Sequence, residues 1–124
     1  MGLRNITVAI DPHGDDEIVG FFTLSPLSIR IDPRVLAALG LGSVPYPAVG
    51  GYLLGRLGVD RRYQRRRIGH ALVAIGIARA RHGCKDTGGV FIAVDAKNDP
   101  LVRWYERLGF PRLGQQTHRC VMRL

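Results

Sequence analysis

Residues 53–76 read LLGRLGVDRRYQRRRIGHALVAIG, and the fold turns on how this stretch is parsed. Val49 to Val59 is an apolar run that predicts a strand. Asp60 to Arg66 is an arginine-rich turn. Beyond it Ile68, Leu72 and Ile75 recur at helical spacing, with Ala71 and Ala78 on the same side, which predicts an amphipathic helix over 67–82. A strand that feeds directly into a helix leaves the N–H groups of the first helical turn without partners. Together with the helix dipole they make a site for a phosphate-bearing ligand. Arg61, Arg62, Arg65, Arg66 and Arg67 crowd this junction, and guanidinium groups bind phosphate bidentately. A solvated basic turn has the same composition; the coincidence of charge with the junction favours anion binding.

Outward from this stretch, Ile6 to Ile10 (ITVAI) is a short β-branched strand. Residues 11–17, DPHGDDE, carry turn chemistry. Ile18 to Leu24 is a second strand that closes a hairpin, with Ser25 to Ile31 as its extension. Residues 32–47 read as a loop with one helical turn in RVLAAL. Gly50, Gly51, Gly55 and Gly58 lie inside the third strand, where glycine marks a bulge or a close approach. His82 and Gly83 are expected to close the helix. Val90 to Val94 is apolar throughout, as in a strand buried on both faces. Pro100 to Leu108 is a short helix with proline in its first turn and Gly109 at its end. Gln116 to Arg123 is a last strand. The order β-β-β-α-β-α-β predicts one α/β domain over 1–124 with a mixed sheet.

Length and charge narrow the function classes. A chain of 124 residues fits one domain. Residues 1–50 carry 3 Lys/Arg against 5 Asp/Glu, net −2, whereas residues 51–124 carry 15 against 5, net +10. The basic part calls for an anionic partner: a phosphorylated cofactor, a nucleic acid or an acidic protein. Cys84 and Cys120 form no metal-spaced cluster. PHGDDE at 12–17 resembles the zinc motif of certain sugar N-deacetylases, but with Gly14 in place of proline it reads as a hairpin turn, and no metal is expected. Met1 is followed by GLRNITVAID rather than by a basic region and an apolar core, so no signal peptide is expected, and no apolar run is long enough to span a bilayer. The expected setting is the cytoplasm, with reduced thiols and no membrane partner.

VDRRYQRRRIGHAL resembles the acyl-CoA-binding motif of the GNAT superfamily of N-acetyltransferases, Gln/Arg-x-x-Gly-x-Gly/Ala between a strand and a helix. Gln64 and Gly69 occupy its first and last positions. Arg67 stands where the family has glycine, and Arg65 where it often has another. Arginine there can still present its N–H to the pyrophosphate if its φ stays negative, and its side chain can add a charge contact. A second block, Asn-x-x-Ala-x-x-x-Tyr-x-x-x-Gly-Phe, is matched by Asn98, Tyr105, Gly109 and Phe110, with Leu101 for alanine. Alone, WYERLGF would read as core aromatics. The resemblance implies contacts to acetyl-CoA from Leu57, Gly58, Val59, Gln64, Arg65, Arg66, Arg67, Ile68, Gly69, His70 and Asn98. It implies Tyr105 as the general acid toward the leaving thiolate, a role that suits a phenol protonated at neutral pH.

Within that superfamily the chain is most similar to the acetyltransferase toxins of bacterial toxin–antitoxin pairs. The resemblance implies aminoacyl-tRNA as acceptor, a ribbon-helix-helix antitoxin as partner, and Arg56, Arg79, Arg81, Lys85, Lys97, Arg103 and Arg107 as candidate phosphate contacts. The family normally has a strand and one or two helices before the hairpin at Ile6, so a shortened GNAT fold is expected, with an exposed sheet edge suited to a homodimer. Asp60 is expected to cap the turn or pair with an arginine, and His70 to be a polar helix-face residue. No dedicated base is required if the acceptor amine has a modest pKa. Alternatives are an acetyltransferase for a protein N-terminus or small amine, and a non-catalytic remnant that binds CoA or a partner.

Overall fold

A computed structural model describes residues 5–42 and 47–124. Its strands are β1 (Asn5–Asp11), β2 (Glu17–Arg30), β3 (Ala48–Val59), β4 (Phe91–Asp95) and β5 (Arg119–Arg123). They form one sheet in chain order, antiparallel except for the parallel β3–β4 pair. That exception follows from α2 (Ile68–Thr87), the crossover helix that carries the chain between these strands. The helices α1 (Pro33–Leu39) and α3 (Asp99–Arg107) complete the mixed α/β domain.

Apolar alternation sets the layers. Phe22, Leu24, Leu54, Ile92 and Val94 face Leu72 and Val73 of α2 and Val102 and Tyr105 of α3. On the opposite face Ile29, Phe91, Ala93 and Val121 pack with Val35 and Leu39 of α1. β4 is apolar at every position from 91 to 94 because both of its faces are covered.

Most strand and helix ends fall within a residue or so of the sequence reading, and the larger differences have physical reasons. The stretch 32–47 contains a true helix, α1, capped by Asp32, whose carboxylate accepts from the Val35 N–H; residues 43–46 of that stretch lie outside the described residues. α2 does not close at His82 and Gly83 but runs on to Thr87, where Gly88 caps it at φ 74°. Gly83 is glycine for another reason: a side chain there would meet the Tyr52 ring on β3. The helix begins one residue later than expected, with Arg67 as its N-cap. β5 begins at Arg119, not Gln116, because the Thr117 carbonyl is bonded by the Arg112 guanidinium rather than by a strand.

The feature that positions the site is a splay. β3 and β4 pair only over Gly51–Leu54 and Phe91–Val94. Beyond Leu54, β3 continues beside β2 alone, and Asp95 of β4 pairs with Arg119 of β5. The β2–β3 register also shifts, since Phe21 and Thr23 stand opposite Gly58 and Gly55. The extra residues of β3 include Arg56, at φ 47°, which marks a bulge.

Candidate active site

The turn after β3 is held from both sides. Asp60 accepts from the Arg62 N–H at 2.9 Å and pairs with its guanidinium at 3.1 Å. Those hydrogen bonds hold its carboxyl below the usual carboxylate range. Arg62 also reaches Glu17 at 2.9 Å, and the Tyr63 hydroxyl donates to Asp11 at 2.9 Å, so the turn is tied to the first hairpin. Arg66 lies over the Tyr63 ring at 5.1 Å. Two of the five arginines are thus engaged locally. Arg61, Arg65 and Arg67 have no ion pair among the described residues.

Arg65 and Arg67 adopt φ of 67° and 58°. The condition set above, a negative φ at Arg67, is therefore not met. The chain takes here the left-handed conformation that glycine adopts freely, although an L side chain costs about 1–2 kcal/mol in it. The result is a helix start with no cap. Arg67 accepts no side-chain capping bond, the first turn of α2 holds no acidic residue, and the first helical bond runs from the Ala71 N–H to the Arg67 carbonyl at 3.1 Å. The N–H groups of Ile68, Gly69 and His70 are left for an external acceptor. A helix N-terminus usually attracts Asp or Glu; this one is ringed by arginines. The hollow it faces, about 260 Å³, is lined by Val59, Tyr63, Gln64, Arg65, Arg67, Ile68, Gly69, His70 and Trp104. The Gln64 amide donates to the Val59 carbonyl at 3.3 Å.

A second cavity of about 500 Å³ fills the splay, with Leu54, Arg56, Leu57 and Gly58 on the β3 side and Asp95, Ala96, Lys97, Leu101 and Tyr105 on the other. Phe21 closes it from β2, and Gly58 is glycine because a side chain there would meet the Phe21 ring at 2.7 Å. Tyr105 is only 7% exposed. Burial, and secondarily Cys120 beside it, pushes its phenol up to about 12. Its ring is fixed edge-on between Trp104 at 4.9 Å and Phe110 at 5.8 Å. The phenol is therefore a positioned acid that stays protonated. The one carboxylate in the lining, Asp95, is bonded through both oxygens to Arg119 at 2.8 and 2.9 Å, and that pairing holds its pKa down.

Most of the residues that the sequence selected converge here. Leu57, Gly58 and Tyr105 line the splay cavity. Val59, Gln64, Arg65, Arg67, Ile68, Gly69 and His70 line the hollow at the helix start. His70 is exposed, with its ring 5.3 Å from Trp104. Arg66 and Asn98 line neither space. Asn98 is the N-cap of α3: its side-chain oxygen accepts from the Leu101 N–H at 3.0 Å, which leaves only its NH₂ group for any ligand. Trp104 lines the hollow at the helix start, and its ring meets that of Tyr105, which lines the splay cavity, a link its place beside Tyr105 in sequence did not reveal. Of the seven candidate phosphate contacts, Arg56 and Lys97 line the splay cavity, and Arg79 bonds Thr7 on β1. Residues 11–17 form the β1–β2 turn, with the Asp11 side chain accepting from the His13 N–H.

Free amides and arginines at one end, and a strand with one unpaired side leading to a buried phenol at the other, fit an acyl thioester whose long arm ends in a diphosphate. A mixed sheet splayed at its parallel pair, with a strand that runs through such a turn into a helix, is a frame that suits an acyl-CoA-dependent acetyltransferase. The comparison agrees: the acetyltransferase (GNAT) family model matches residues 8–110, and the chain belongs to that family of enzymes. Its fold is that of the toxin acetyltransferases. The toxin AtaT complexed with acetyl-methionyl-tRNAfMet is 24% identical with a TM-score of 0.80, covering 97% of this chain and 71% of that one. A tyrosine-to-phenylalanine mutant of KacT gives 23% and 0.82, with coverages of 97% and 71%. A tyrosine-to-phenylalanine mutant of AtaT, bound to the C-terminus of the antitoxin AtaR and to acetyl-CoA, gives 19% and 0.76, with coverages of 97% and 68%. No helix among the described residues is long and apolar enough to cross a membrane.

Proposed function

We propose that this protein binds acetyl-CoA and transfers its acetyl group to the α-amino group of aminoacyl-tRNA. The observation that carries the reading is the junction of two spaces: an uncapped, arginine-ringed helix start beside a cavity with a buried, protonated tyrosine. Support for the acceptor comes from the fold shared with AtaT, which is solved with acetyl-methionyl-tRNAfMet, and from the net charge of +10 on residues 51–124. Bound acetyl-CoA supplies a thioester, an acyl group activated toward an amine.

The chain's own residues do the rest. The N–H groups of Ile68, Gly69 and His70, with Arg65 and Arg67, hold the diphosphate. The side of Leu57–Val59 turned away from β2 offers backbone groups to the arm and to the acyl oxygen. The amine nitrogen bonds to the acyl carbon as the C–S bond breaks; Tyr105 donates its proton to the departing thiolate, and the proton the nitrogen loses restores the phenol. Among the described residues no free carboxylate lines the splay cavity, so in this reading the acceptor amine enters already neutral. An α-amino group, with a pKa of about 7.7–8.0, does so far more readily than a lysine side chain at about 10.4. Placing both substrates side by side supplies much of the rate.

The same reading gives the protein a cytoplasmic site of action and two partners. One is a ribbon-helix-helix antitoxin, as AtaT has AtaR. The other is a second copy. Among the described residues no strand pairs with the outer edge of β1, and Ile6, Val8 and Ile10 on it are 66%, 49% and 49% exposed. Antiparallel pairing of two β1 strands about Val8 sets Ile6 against the second copy's Ile10. It also brings Arg79, held over β1 by its bond to Thr7, toward the second copy's Asp11. The test of the function is transfer of radiolabelled acetyl to charged tRNA. Labelled N-acetyl-aminoacyl-tRNA is expected; label only on protein N-termini or small amines would replace this acceptor with another.

A further inference from the structure

We infer that Arg56 and Lys97 form an anion subsite on opposite walls of the Tyr105 cavity. The acceptor amine this protein takes would then carry a phosphate or carboxylate close beside it. The inference rests on the acetyl-transfer reading and deepens it.

Arg56 stands within the twelve-residue strand β3, yet its φ is 47°. Arginine rarely adopts this conformation inside a strand. Strain of that kind persists only where the surroundings impose it, and bulges re-aim a side chain. Here the bulged residue lines the splay cavity. Arg56 comes just before Leu57–Val59 and so lies farther along β3 from the arginine turn than the segment assigned to the cofactor arm. Lys97 follows β4 on the facing wall. Both side chains are exposed, and neither has a hydrogen bond or ion pair among the described residues. The other charged group in the lining, Asp95, is neutralised by Arg119. The cavity therefore presents two free cations and no free anion.

Chemistry narrows the acceptor. A polyamine or lysine-rich peptide brings like charge into a half-enclosed space and is disfavoured. An amine with a neighbouring anion is drawn in, with the anion between the two cations. That anion has two sources: the phosphates of a nucleic-acid end, or the carboxylate of a free amino acid.

The test compares three acceptors: aminoacyl-tRNA, free methionine and methionine amide. The variants are Arg56→Gly, Arg56→Lys and Lys97→Gln. Glycine at 56 keeps the left-handed backbone without strain, so the bulge survives and the melting temperature should not fall. The expected result for Arg56→Gly and Lys97→Gln is a KM at least tenfold higher for an anion-bearing acceptor. The slope of log KM against log salt should also be shallower by about 1. Methionine amide and acetyl-CoA should keep their KM values, and Arg56→Lys should lie near the wild type. Loss confined to aminoacyl-tRNA identifies phosphate as the anion; loss confined to methionine identifies carboxylate. Unchanged KM for both anionic acceptors overturns the subsite, as does an equal loss with methionine amide. If the wild type binds acetyl-CoA but acetylates none of the three, the acceptor reading falls and takes this inference with it.

Discussion

Two ends of one sheet are built to different standards. On β4 apolar side chains are covered on both faces: Phe91, Ile92 and Ala93 are at 0% exposure. On β1 every second residue is apolar and open, with Ile6 at 66%. β4 is apolar at every position from 91 to 94 and covered on both faces, whereas the alternating apolar residues of β1 find no cover among the described residues. Strain is distributed the opposite way. The well-covered half holds left-handed arginines at 56, 65 and 67 around the site, whereas the open half spends its left-handed backbone on Asp15 and Asp16 in a surface turn. A rigid core at one end allows a strained site to persist there; the other end has surface to offer a partner.

The largest effect that sharpens this contrast is chemical. Tyr105→Phe keeps the packing against Trp104 and Phe110 but removes the proton donor. Turnover should fall at least about 100-fold with KM for acetyl-CoA unchanged, read by release of free thiol.

Matched changes in the two regions come next. Leu72→Ala, at 1% exposure under α2, should cost about 2–5 kcal/mol in urea unfolding. Val8→Lys on the open edge should change monomer stability by no more than about 0.5 kcal/mol while abolishing dimers in sedimentation. If Val8→Lys costs as much as Leu72→Ala, the two regions are one cooperative core and the contrast fails.

A pH series separates them again. The Tyr105 phenol is raised from 10.0 to about 12 in the folded chain. Its protonated form is therefore favoured by folding, and that contribution is fully present below pH 10 and lost as pH rises toward 12. Melting temperature should fall more steeply over this range in the wild type than in Tyr105→Phe.

The smallest effect is at Arg67. Arg67→Gly relieves a φ of 58° at the expense of about 0.5–1 kcal/mol of added unfolded-chain freedom, so stability should hold or rise slightly. Affinity for acetyl-CoA should drop less than tenfold, because the backbone donors of Ile68 to His70 remain.

Much of this was legible in residues 53–76. Strand, turn and helix follow each other there with abrupt changes of composition, and Gln64, Gly69 and Tyr105 hold their family spacing; all three line the site. What sequence hid was tertiary. Gly83 looks like a helix stop until Tyr52 is seen against it. Asn98 looks like a ligand residue, but its oxygen caps α3. Arginine at 65 and 67 argues against a left-handed turn, because local propensity carries no record of the contacts that enforce one. The linking role of Trp104 depends on α3 docking beside α2, which no local pattern encodes.

In the proposed mechanism the uncapped start of α2 and its arginines hold acetyl-CoA with Tyr105 in reach of the thioester. Isothermal titration of acetyl-CoA into the wild type and Tyr105→Phe tests it most directly. Saturable one-to-one binding with the same Kd for both proteins is the predicted result, since the phenol acts on the leaving group and not on the diphosphate. Absence of binding by a folded wild type would contradict the account.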